Sequence, residues 1–120
     1  MKSTAAVTHA RPSRDKRLDL VFGALSDRTR RALLSRLERS PAMVTELAEP
    51  FDMSLPAVSK HLRVLERAGL VKRTIDGRVH NCALNTGPLE EADRWMERYR
   101  ALWEHALDGL ASFVEKDSAK

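Results

Sequence analysis

Ser54, Pro56, Ala57, Ser59, Lys60, Arg63 and Arg67 lie within the stretch SLPAVSKHLRVLERAGLVKR, residues 54–73. Turned at about 100° per residue, as on a helix, Val58, Leu62, Leu65 and Leu55 gather on one side. Pro56, Lys60, Arg63 and Arg67 fall opposite, with Ala57 and Ser59 on the flanks. The chemistry open to such a face is recognition of a polyanion. Guanidinium and ammonium groups reach the acceptors of guanine in the major groove, hydroxyls and a helix N-terminus meet phosphate, and small side chains permit close approach. The spacing predicts a recognition helix over about residues 54–68. A solvated basic helix face has the same pattern, so a second element must decide between the two.

That element follows at once. VKRTI, then Asp76-Gly77, then RVHNCAL read as a β-hairpin with a tight turn. Arg73, Arg78 and His80 are expected near its tip, placed to reach the DNA backbone beside the groove as a wing. Two basic elements in this order favour nucleic acid over a bland surface. His61 sits at the edge of the buried stripe, where partial burial and DNA contact are both open.

The elements that position these residues are legible from periodicity and capping. Leu18, Val21, Phe22 and Leu25 share one face of a first helix. Ser26-Asp27 can cap a second that carries Leu33, Leu34 and Leu37, and Ser40-Pro41 ends it. Thr45, counted with the DNA-facing residues, can cap a short third helix that Pro50 bends or shortens. Ser54 caps the recognition helix, Pro56 is tolerated in its first turn, and Gly69 closes it. From Leu89 to Glu115 runs a long amphipathic helix, with Trp95, Tyr99, Leu102, Trp103 and Leu110 on its broad apolar face.

Charge is distributed unevenly along the 120 residues, whose net charge is +4. Residues 1–17 and 54–80 are each strongly basic, whereas seven carboxylates outnumber four cations over residues 89–116. Residues 1–15, without periodicity, are expected to form a flexible basic arm ahead of one domain over residues 16–117. A lone cysteine, Cys82, excludes an intrachain disulfide, and no apolar run suits a membrane span or a secretory signal. A cytoplasmic location is expected. Gly-rich phosphate loops, nucleophile elbows and metal-protease motifs are missing from the sequence, so an enzyme is not expected.

The stretch LSDRTRR, then TELAEPFDMSLPAVSKHLRVLERAGLV, then the DGRVH hairpin closely resembles the ArsR-type winged helix-turn-helix repressors, from about Leu18 to Val114. The resemblance implies a mainly α fold with a small β-hairpin, dimerised through its N- and C-terminal helices. It also implies a homodimeric repressor on a roughly palindromic, inverted-repeat operator in double-stranded DNA. Carried over by position, Ser54, Pro56, Ser59, Lys60, His61 and Arg63 fall on the DNA-facing part of the motif. Leu18, Val21, Phe22, Trp95, Tyr99, Leu102, Trp103 and Leu110 are the expected interface.

Many such repressors release DNA on binding a metal. The thiol pair that the resemblance would place in the first helix of the motif falls on Ala48 and Pro50, neither of which can ligate. His9, His61, His80 and His105 are scattered, and the paired ligands of other members are missing from the last helix. No metal and no cofactor are expected. His105 with Glu104 and Asp108, a redox role for Cys82, and an aromatic pocket at Trp95, Tyr99 and Trp103 are weaker candidates for effector sensing. A rival of another class is a winged-helix module that binds an acidic protein. Zinc, cadmium or arsenite in modest excess should leave the protein on its DNA, and dialysed protein should carry no stoichiometric metal. One metal per chain by elemental analysis would refute this.

Overall fold

The computed structural model describes residues 12–118. Among the described residues, five helices and three short strands follow in the order α1 Arg14–Leu25, α2 Arg28–Leu37, β1 Ala42–Met43, α3 Val44–Ala48, α4 Leu55–Arg67, β2 Val71–Asp76, β3 Val79–Leu84 and α5 Gly87–Ser118. The chain divides into two compact units, Met1–Leu89 and Glu90–Lys120.

In the first unit the helices close over a small core. Leu33, Leu47, Val58, Leu62, Leu65 and Leu70 have no more than 1% of their surface exposed, and Val21 and Cys82 join them. Leu18 is buried too, so the apolar residues expected at a subunit interface are divided. Leu18 and Val21 belong to this unit's own core, whereas Phe22 keeps 36% of its surface.

Helix α1 begins earlier than its apolar spacing suggests. Ser13 accepts a hydrogen bond from the Lys16 backbone N–H at 3.3 Å, so Arg14 and Asp15, expected in an arm, are already helical. Residues 1–11 of that expected arm lie outside the described residues. At α2, Asp27 accepts from the Arg30 N–H at 3.0 Å and caps the helix as its sequence implies.

Helix α3 departs from expectation. Its N-cap is Met43, and Thr45 is its second residue, because strand β1 feeds straight into the helix. The Glu46 carboxylate reaches back to accept from the Met43 N–H at 3.0 Å and takes over the capping role expected of Thr45. The helix stops at Ala48, just ahead of Pro50.

The hairpin gains a strand that periodicity could not reveal. Ala42 and Met43 pair with Cys82 and Asn81, giving an antiparallel sheet ordered β1-β3-β2. Two residues carry too little pattern to be read, and pairing with β3 alone makes them a strand. The turn is also shifted by one residue. Asp76 pairs with Val79, so Gly77 and Arg78 are its central residues, not Asp76 and Gly77. Gly77 has φ of 62° and no other residue type has positive φ among the described residues, which is the pattern of a type II′ turn. Gly69, just after α4, has φ of 78°, and its N–H donates to the Glu66 carbonyl. A Cβ there would also crowd Pro88 at 3.2 Å.

Helix α5, the bulk of the second unit, spans 32 residues, about 48 Å at 1.5 Å per residue. Among the described residues no helix is long and apolar enough to cross a membrane.

The Asp27 cap supplies a test of this framework. Its hydrogen bond from the Arg30 N–H, aided by the nearby His61 and Arg30 side chains, holds the carboxyl below its ordinary pKa against the opposing effect of burial. A folded-state pKa depressed in this way stabilises the protein above the unfolded pKa, and the benefit is lost as pH falls through the folded one. Asp27→Ala should cost about 1 kcal/mol near neutral pH, and Asp27→Asn less. In urea unfolding, the gap between Asp27→Ala and the wild type should close as pH drops through the carboxylate range. A gap that stays constant with pH would show that the cap does not act through its charge.

Candidate nucleic-acid interface

Helix α4 is seated by its buried stripe, Val58, Leu62 and Leu65, each with 0% exposure. Ser54 caps it by accepting from the Ala57 N–H at 3.3 Å, and Pro56 occupies the first turn, where its missing N–H is harmless. With the stripe fixed inward, Pro56, Lys60, Arg63 and Arg67 are exposed, and Ala57 and Ser59 are half-buried beside them. The cations expected on one face are on one face.

Leu55 is a correction. Expected within the buried stripe, it retains 48% of its surface. As the first helical residue, before α4 has crossed the core layer, it has little to pack against. It borders a groove of about 420 Å³ whose walls come from α3, the start of α4 and the hairpin. Thr45, Pro56, Ser59, Arg73, Arg78 and His80 line that groove, together with the apolar Met43, Leu55 and Val79. Six of the residues singled out from the sequence therefore meet in one place.

Three residues of the expected set, Arg73, His80 and His61, take part in internal ties. Arg73 faces inward because its register places it opposite Cys82. Its Nε donates to the Glu66 carboxylate of α4 in a close ion pair, and its Nη1 lies 3.2 Å from Nδ1 of His80. Its Nη2 is buried with no hydrogen-bond partner among the described residues. An arginine expected near the tip thus joins the recognition helix to the wing, while Arg78 sits at the tip, exposed. His61, for which two roles were open, turns to α2. Its Nδ1 lies 3.2 Å from Arg30 Nη1 and 3.8 Å from Asp27 Oδ2, and Arg30 also donates from Nε to the Ala24 carbonyl at 2.8 Å. These contacts tie α4 to α2.

Cys82 is buried, and burial pushes its thiol pKa up, opposite to what a reactive thiolate requires. Among the described residues no group of three or more His, Cys, Asp or Glu side chains could hold a metal ion. Trp95 and Tyr99 pack at a tilt of 49° with centroids 5.2 Å apart, and the Arg98 guanidinium covers the Tyr99 ring at 4.9 Å. With Met96, Arg100 and Trp103 the two rings form only a shallow surface cleft. Beyond it, Leu102, Trp103, Leu110 and Phe113 each expose well over half of their surface. The sequence reading missed Met43 and Val79, and misplaced Leu55. Neither period nor charge marks an apolar side chain that the fold leaves uncovered.

A family model described as a helix-turn-helix domain matches residues 25–74, from the end of α1 to the middle of β2. The HTH-type transcriptional regulator Rv2034 of Mycobacterium tuberculosis is 36% identical over 99 residues, covering 82% of this chain and 90% of its own. The transcriptional repressor SdpR of Bacillus subtilis is 36% identical over 76 residues, 63% of this chain and 84% of its own. The crystal structure of an ArsR family transcriptional regulator matches with a TM-score of 0.72 and 42% identity, over 78% of this chain and 97% of that one. These relatives are named as transcriptional regulators, and the solved structure matches over 78% of this chain. The chain belongs to the ArsR family of winged helix-turn-helix transcriptional regulators, which act by binding DNA.

Proposed function

We propose that the protein is a homodimeric repressor, active in the cytoplasm, that holds an inverted-repeat operator with α4 in the major groove and the hairpin on the flanking backbone. Residues 16–117 act as its working module, with the helix over 89–115 as dimerisation element. The observation that carries the reading is the exposed cationic face of α4. Lys60, Arg63 and Arg67 are exposed opposite a fully buried stripe, so their direction is set by the core. Ser54, Pro56, Ala57 and Ser59 let the N-terminal half approach closely, and Thr45 and Arg78 flank it where phosphates would pass. Arg73, His61 and His80 contribute by holding these elements in register. The similarity to a named repressor, SdpR, supports repression as the outcome of binding.

Dimerisation rests on α5. Tyr99, Leu102, Trp103, Leu110 and Phe113 leave a long apolar face exposed, more than a single chain in water favours. A second copy related by a two-fold axis covers such a face, with Phe22 of α1 as a further contact. Two recognition helices would then face major grooves about one helical turn or a multiple apart. No metal is assigned to this mechanism.

Two measurements test the reading. At fixed salt, Arg63→Ala should weaken specific binding by about 1–3 kcal/mol and relax base preference at one position per half-site. Arg78→Ala should weaken all sequences alike and lower the slope of affinity against salt by about one ion. Unchanged affinity in both variants would refute the DNA face. Trp103→Glu should yield monomers or insoluble chains that lose operator binding, although α4 is untouched. Sedimentation of the wild type as a well-folded monomer at micromolar concentration would refute the dimer.

A further inference from the structure

The entry end of the recognition helix carries an apolar surface where hydrogen-bonding groups would ordinarily be expected. Leu55 is 48% exposed, Met43 38% and Val79 46%, and the three share the groove between α3, the start of α4 and the wing. Pro56 adjoins Leu55 and adds no donor. Half-exposed leucine at the first position of a helix serves no purpose in the core, which Val58, Leu62 and Leu65 already fill.

The surroundings identify what meets this patch. Arg78 lies on its wing side, Lys60 and Arg63 are exposed further along the same helix, and the Glu46 carboxylate beside Met43 is engaged by the Met43 N–H. An exposed arginine at the wing and a cationic face on the same helix favour a polyanion over an apolar protein surface. Within the major groove the one apolar group on a base edge is the C5-methyl of thymine, since the other edges present donors and acceptors.

We propose that Leu55 is a specificity-determining residue that reads the C5-methyl group of a thymine in each operator half-site, with Met43 and Val79 completing the dry contact. The inference rests on α4 being the groove-entering helix and deepens that reading by naming a base. It differs from arginine readout in kind. Arg63 would select guanine by paired hydrogen bonds, whereas Leu55 selects by withdrawing a methyl group from water. Cytosine at the same place lacks the methyl, so Leu55 gains no apolar contact from it.

The test uses the full-length protein and an operator duplex selected by it from a random pool. Each thymine is replaced in turn by deoxyuridine, which keeps every hydrogen-bonding group and lacks only the methyl. For the wild type, one thymine per half-site should be sensitive, with affinity falling about fourfold on replacement, the worth of one methyl group withdrawn from water. Leu55→Ala, shown folded by its thermal unfolding, should bind the thymine operator more weakly and show no further loss with deoxyuridine at that position. Wild-type affinity indifferent to every replacement would overturn the proposal. So would a Leu55→Ala protein that stays sensitive at the same thymine, or a selected operator without a recurrent thymine. Arg63→Ala and Arg78→Ala, measured on the same duplex, separate the two levels of failure. If they weaken binding while deoxyuridine does not, the DNA face stands and Leu55 has no part in reading it. If they too are silent, the DNA face itself fails.

Discussion

The rest of the structure depends on burial of the α4 stripe. Val58, Leu62 and Leu65 meet Leu33, Leu47 and Leu70 in a core with essentially no exposed surface. Each such side chain removed from water is worth about 1.5–3 kcal/mol, far more than an exposed ion pair. A helix anchored along one stripe cannot roll, because rolling would expose leucine and bury arginine. The direction of Lys60, Arg63 and Arg67 is thus a consequence of hydrophobic packing on the far side of the same helix.

Polar ties refine what packing establishes. Glu66 at the end of α4 holds Arg73 of β2, which holds His80 of β3, so the recognition helix and the wing keep a common register. At the other side, Arg30 and Asp27 meet His61. Both histidines contact an arginine. Each links two elements, His61 joining α4 to α2 and His80 joining β3 to β2. Gly69 completes the framework. Its left-handed backbone turns the chain from α4 into β2 within the space that Pro88 leaves.

The two units contrast physically. The first has a closed core and a basic recognition face. The second is a single long helix that carries acidic residues and leaves aromatic and aliphatic side chains exposed. Nothing within one helix can bury its own apolar face. That constraint, rather than any motif, is what calls for a second chain in the proposed dimer.

Much was determined by the sequence itself. The stripe at positions 58, 62 and 65, the Asp27 and Ser54 caps, the Gly69 stop and the long terminal amphipath follow from local periodicity and side-chain hydrogen bonding, which act within a few residues and need no partner element. The basic face of α4 follows as the complement of its stripe, and the family resemblance rests on those same residues. Only tertiary structure decided the others. Ala42 and Met43 became a strand by pairing with β3, and one residue of register moved the turn onto Gly77 and Arg78. Thr45 lost its cap to Glu46. Arg73 and His61 were drawn to partners 7 and 31 positions away in the chain, contacts that come from folding rather than spacing. Leu55 was left uncovered for the same reason. Whether an apolar side chain is buried depends on what the rest of the chain brings to it, and its own neighbours in sequence do not record that.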